Sequence, residues 1–124
     1  MAQATWRTVN VYADGSIDYV SKMSASTGDV IVWFINNTTP LTIKVKVKDF
    51  HKKSGGSNFG PIDFCADNCT VDPGTFPGAI VGQVIYEPSS AVTLKYTIAV
   101  KVDNGGWIIH DPDLDVDRPS GRNA

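Results

Sequence analysis

The stretch AVTLKYTIAVKV, residues 91–102, decides the fold. Successive side chains of a β-strand point to opposite faces, and here the two sets separate cleanly. Val92, Leu94, Tyr96, Ile98, Val100 and Val102 form an apolar face, whereas Thr93, Lys95, Thr97 and Lys101 form a wettable one. Asp103-Asn104-Gly105-Gly106 follows, and Asn-Gly tolerates the positive φ angles of a tight hairpin. WIIH, residues 107–110, begins a return strand, and after Asp111-Pro112 the alternation resumes with Leu114 and Val116.

Working toward the N-terminus, the same period recurs. Val9 and Val11 share a face within TWRTVNVY, residues 5–12, and a short strand with Ile17 and Tyr19 is predicted after a turn at Asp14-Gly15. Gly28-Asp29 introduces VIVWFI, residues 30–35, which is apolar on both faces and is expected to be a central, doubly covered strand. Asn36-Asn37-Thr38-Thr39-Pro40 is turn chemistry. Beyond it Ile43, Val45 and Val47 alternate with Lys44, Lys46 and Lys48. From Phe50 to about Phe76 the alternation stops; a loop of that length in a compact domain is usually functional or disordered. Alternation returns at residues 80–86. No segment carries a sustained 3.6-residue period, and internal repeats are absent. Trp33, Tyr96 and Trp107 are expected to be the large core fillers.

The chain has 124 residues, of which 42% are hydrophobic and 19% charged. This is the size of one domain, expected at residues 1–117, with RPSGRNA at 118–124 as a flexible tail. Eleven basic against 13 acidic residues leave a net charge of −2. A nucleic-acid binder relying on excess positive charge is excluded, so no nucleic-acid partner is expected. No apolar run approaches the roughly 20 residues that span a bilayer as a helix. The opening MAQATWRTVNV shows no basic segment followed by an apolar one. The protein is cytoplasmic if Met1 is the native start, and periplasmic or secreted if a leader was removed.

Two segments resemble a cupredoxin-type sandwich. The first is TGDVIVWFINNTTPLTIKVKV, residues 27–47, with a strand entered on Gly-Asp, an aromatic core strand, an Asn-rich turn and a Pro before the next strand. The second is EPSSAVTLKYTIAVKVDNGGWIIHDPDLDVD, residues 87–117, similar to the hairpin that closes such sandwiches. About seven or eight short strands separated by turn signals, with one long loop, already point to an all-β fold, a Greek-key β-sandwich, and the resemblance implies that it is cupredoxin-like. In copper-binding members a His follows the Pro of the first segment, and the closing hairpin carries Cys, His and usually Met. Here Leu41 follows Pro40, and the hairpin holds Val100, Lys101 and Val102 before Asn-Gly-Gly. The resemblance therefore implies the scaffold without its metal ligands: a copperless relative, with no cofactor.

Other constellations each carry a chemical and a plain reading. Cys65-x-x-x-Cys69 lies in a Gly/Pro-rich region and would close a small disulfide ring; a reduced, inert pair is the alternative. With His51 the two thiols would also make three metal ligands, but the spacing fits no zinc family. Asp111, Asp113, Asp115 and Asp117 alternate, so they share one strand face rather than curling around Ca²⁺; a charged edge strand that discourages pairing is the plain reading. Lys44, Lys46 and Lys48, extended by Lys52 and Lys53, make a stripe that could meet the acidic strand, an acidic partner or only water. HKKSGGSNFG, residues 51–60, lacks the residue order and following helix of a phosphate cradle. Asp49, His51 and Ser54 are too crowded to converge as a hydrolytic triad. Asn36-Asn37-Thr38-Thr39 and Asn68-Cys69-Thr70 match the glycosylation acceptor pattern.

The long loop holds Phe50, Phe59, Phe64 and Phe76, four of five phenylalanines. It either closes one end of the sandwich as a lid or presents rings outward beside His51 and Lys52. The function expected is a non-enzymatic binding or assembly module, recognising its partner through the 50–78 loop with His51, Lys52, Phe59 and Phe76. The partner is a protein or small ligand, or a second copy paired through sheet edges. The rival readings are a metal-binding electron-transfer protein and a Ca²⁺- or carbohydrate-binding sandwich using the acidic strand.

Overall fold

A computed structural model describes residues 3–118. Those residues form ten strands and no helix: β1 (Ala4–Val11), β2 (Met23–Ser26), β3 (Val30–Asn37), β4 (Ile43–Lys52), β5 (Ile62–Ala66), β6 (Asn68–Val71), β7 (Gly78–Val84), β8 (Val92–Val102), β9 (Ile108–His110) and β10 (Asp113–Asp117). One sheet has the order β1-β3-β7-β5. The other runs β2-β10-β8-β4-β6, with β9 also paired to β8. The fold is an all-β sandwich, consistent with Greek-key connectivity. Most of the tail expected at 118–124 lies outside the described residues.

The core lies between the sheets. Val9, Val11, Ile31, Trp33, Ile35 and Ile80 meet Ile43, Val45, Leu94, Tyr96, Ile98, Val100, Leu114 and Val116, all buried. Burying each large apolar side chain contributes about 1.5–3 kcal/mol before conformational entropy is charged against it. Gly28, at φ +92°, turns the chain into β3. Asp29 fixes that entry: its two carboxylate oxygens accept the backbone N–H of Gln3 (3.0 Å) and of Ser26 (2.9 Å).

Several expectations change on the structure. The 50–76 stretch is not one loop, because it contains the end of β4, all of β5 and all of β6. The alternation was hidden by a bulge. Asp49 adopts φ +60° and the β4–β8 register shifts between Lys48 and His51. One extra residue flips the parity, so odd positions are buried before the bulge and Phe50 is buried after it. In β5 and β6 only Ile62 and Val71 are fully buried, which is too little to make a visible period.

β3 is central in its sheet but covered on one side only, since a two-layer sandwich leaves outer faces open; Phe34 is 37% exposed. Residues 16–20 are not a strand; a single bridge joins Ile17 to Val11, and Tyr19 is exposed. Trp107 is not a core filler, lying on the outside at 39% exposure. β10 is not an edge strand, because β2 and β8 flank it.

Candidate interaction surface

The loops gather at two ends. One end, here the lower, collects residues 27–29, 53–61 and 85–92, joined by backbone bonds from Gly28 to Val84, Lys53 to Thr93 and Ile85 to Pro61. The upper end collects residues 37–42, 72–77 and 103–107. There the Asp103 N–H donates to the Thr42 carbonyl at 2.8 Å, and the Thr42 hydroxyl lies 3.1 Å from the Asp72 carboxylate.

β4 runs from one end to the other, and its ten residues span about 30 Å. His51 and Lys52 sit at its lower end, where the His51 Nδ1 lies 3.1 Å from the Asp49 carbonyl oxygen. Phe59 is also at the lower end, its backbone bonded to Phe50 and its ring packed edge-on against Tyr86 at 5.0 Å. Phe76 belongs to the upper end and is 94% exposed. The four residues therefore do not form one patch. The four phenylalanines of the 50–76 stretch divide: Phe50, Phe59 and Phe64 pack on the core, and of these four Phe76 alone points out.

The packed rings continue an aromatic chain inside the sandwich. Phe50 stacks on Tyr96 at 5.0 Å, Tyr96 meets Trp33 edge-on at 5.7 Å, and Phe64 lies against both Trp33 and Phe50. The Trp33 indole N–H donates to the Tyr96 hydroxyl at 3.1 Å. Burial pushes the Tyr96 phenol up to about 12, only partly opposed by that hydrogen bond.

Cys65 and Cys69 are both free thiols in the structure. Cys65 is exposed on β5, whereas Cys69, opposite Val45, is half-buried near Gly78. Burial pushes the Cys69 thiol up, away from the reactive thiolate. Among the described residues no group of three or more His, Cys, Asp or Glu is placed to hold a metal ion.

The acidic strand is engaged internally. Asp113 accepts from Lys53 at 2.8 Å and pairs with Lys95 at 2.9 Å, and these two ammoniums hold its carboxyl below the usual carboxylate range. Asp115 pairs with Lys22 at 3.1 Å and accepts the Thr93 hydroxyl at 2.6 Å. A cleft of about 420 Å³ lined by Ser24, Asp29, Thr93, Asp115 and Asp117 is thus bordered by carboxylates already in use.

The upper end is built differently. The Asn37 side-chain amide donates to the carbonyls of Leu41 (2.7 Å) and Val71 (2.9 Å), tying two loops together. The Thr75 hydroxyl closes the next turn on the Asp72 carbonyl at 2.7 Å. On this hydrogen-bonded base stand two exposed apolar side chains, Leu41 at 40% and Phe76 at 94%. Of the two, Phe76 was expected from the phenylalanine-rich stretch, whereas Leu41 carried no signal in the sequence.

No protein-family model matches the chain, and no curated protein matches it. Among solved structures it is similar to a chain of the CsuC–CsuE chaperone–tip adhesion subunit pre-assembly complex from the archaic chaperone-usher Csu pili of Acinetobacter baumannii. Identity is 8% and the TM-score 0.64, over 79% of this chain and 49% of that one. The chain spans about half the length of the one it matches, and at this identity the likeness is one of fold: a β-sandwich.

Proposed function

We propose that the protein is a non-enzymatic binding or assembly module, a copperless cupredoxin-like sandwich that engages a protein partner through its upper end. The observation that carries this reading is Phe76, almost wholly exposed at the same end as Leu41, on loops tied down by the Asn37 and Thr75 hydrogen bonds. An aromatic side chain has only two torsions to fix, so covering a large apolar ring on a tied-down loop costs little entropy for the area gained, which is the physics of an interface anchor. The role of the 50–78 region is thereby narrowed to its tip. The similar sandwich in a chaperone–subunit pre-assembly complex supports a protein partner, and pili, assembled outside the cytosol, fit the periplasmic or secreted alternative.

The test is a photo-crosslinking amino acid placed at position 76 in the producing cell, with one at Tyr19, 87% exposed, as control. A discrete crosslinked species from position 76 and none from position 19 is expected. Equal labelling at both positions, or none at 76, overturns the reading.

A further inference from the structure

The outer face of the six-stranded sheet has two electrostatically different halves. On the β10 side the charges cancel: Asp111, Asp113 and Asp115 stand against Lys22, Lys53 and Lys95. On the β4 side Lys44, Lys46 and Lys48 point outward, and Lys101 stands directly opposite Lys44 on β8. Among the described residues none of these four lysines is ion-paired to a carboxylate. Four ammoniums without an ion-pair partner are thus gathered on this half although the chain as a whole carries −2.

Apolar groups occupy the middle of the same half. Lys46, Ala99 and Ile109 form one cross-strand row and so share the outer face, with Ile109 56% exposed. Trp107 stands over the row's edge, the Lys46 ammonium 4.9 Å and the Lys101 ammonium 5.9 Å from its ring. Lysines around a partly exposed tryptophan and isoleucine reproduce, on a sheet, the composition of surfaces that lie on membranes. The lysines supply attraction to anionic headgroups, and indole rings favour the boundary between headgroup and acyl chain. A sheet face offers a broad contact rather than a slot, which fits a planar surface better than a threaded polymer.

We propose that this face docks the protein peripherally on an anionic lipid bilayer, Lys44, Lys46, Lys48 and Lys101 meeting the headgroups and Trp107 and Ile109 entering the interfacial layer. No chain segment crosses the membrane in this arrangement.

The experiment is co-sedimentation of the full chain with phosphatidylcholine vesicles, with and without phosphatidylglycerol. Binding is expected only with the anionic lipid and should weaken with added salt. A Lys44→Gln/Lys46→Gln/Lys48→Gln variant should bind about a hundredfold more weakly, at about fivefold per lysine. Orientation is read separately with brominated lipid as a tryptophan quencher. Trp33 is buried, and Trp6 lies exposed on the outer face of the other sheet. Quenching should persist in Trp6→Phe and disappear in Trp107→Phe. Quenching that follows Trp6 overturns the proposal, as does binding that ignores phosphatidylglycerol. Binding to soluble heparin without binding to vesicles would assign the lysines to a soluble polyanion and also overturn it.

Discussion

Tyr96 joins the two sheets at a single point, since its hydroxyl is the acceptor for the buried Trp33 N–H and its ring lies between Trp33 and Phe50. Tyr96→Phe keeps the ring and removes the acceptor, leaving a buried donor unsatisfied, so a loss of about 1–3 kcal/mol is expected in chemical denaturation. The phenol also sets an alkaline limit. Its folded pKa is raised to about 12 from 10.0, so the folded state resists ionisation more than the unfolded one. The stability this contributes is whole below about pH 10 and is lost as the pH climbs toward 12, which Tyr96→Phe should flatten. Gly82 is a second point of close approach: a Cβ there would meet the Ile62 side chain and come within 3.1 Å of the Asp63 carbonyl. Gly82→Ala should therefore destabilise by about 1–3 kcal/mol, as overpacking does, with the thermal midpoint as readout.

At the scale of elements, the acidic strand shows what side-chain alternation can and cannot disclose. It placed Asp111, Asp113, Asp115 and Asp117 on one face, but not which strand would lie on either side of β10, because pairing partners come from distant sequence. Flanked by β2 and β8, β10 meets Lys22 and Lys95, and Lys53 reaches over from the end of β4. Asp113, held below its ordinary value by Lys53 first and Lys95 second, contributes stability above the unfolded carboxylate pKa that fades as the pH falls through the lower folded one. Asp113→Asn should therefore lose stability at neutral pH and show a flatter acid limb in a plot of thermal midpoint against pH. β4 teaches the same lesson from the other side. Ile43 to Lys48 were readable, and the bulge at Asp49 then reversed the parity, so Phe50 looked like the start of a loop. β2, with only Met23 and Ala25 buried in four residues, left no period to find. The β8–β9 hairpin was legible from its local turn residues, but the positive φ expected of Asn-Gly falls instead on Asp103, at +53°. The site was less so: Phe76 was named from composition, but its separation from His51 along the length of β4 depends on the β4–β6 antiparallel pairing.

For the whole molecule, the decisive fact about metal chemistry is dispersal. His51 lies at the lower end of β4, while His110 turns its Nε2 to the Gly15 carbonyl at 3.0 Å on the far side of β8. Cys65 is exposed on β5 and Cys69 is half-buried on β6. A transition-metal site needs three or four such donors converging on one point. Carboxylates are more numerous, but those of Asp29, Asp113 and Asp115 already accept backbone N–H groups or lysine ammoniums. A ligand that binds only the folded state raises the thermal midpoint by mass action, so the whole molecule can be interrogated at once. Thermal unfolding with Cu²⁺, Zn²⁺, Ca²⁺ or EDTA should give one coincident midpoint, and Cu²⁺ should raise no blue thiolate band. A rise with Ca²⁺ abolished by Asp115→Asn would restore the acidic strand as a binding site. A coloured, stabilised copper complex would restore the electron-transfer reading, and would require the sandwich to rearrange far enough to bring a thiol and an imidazole together.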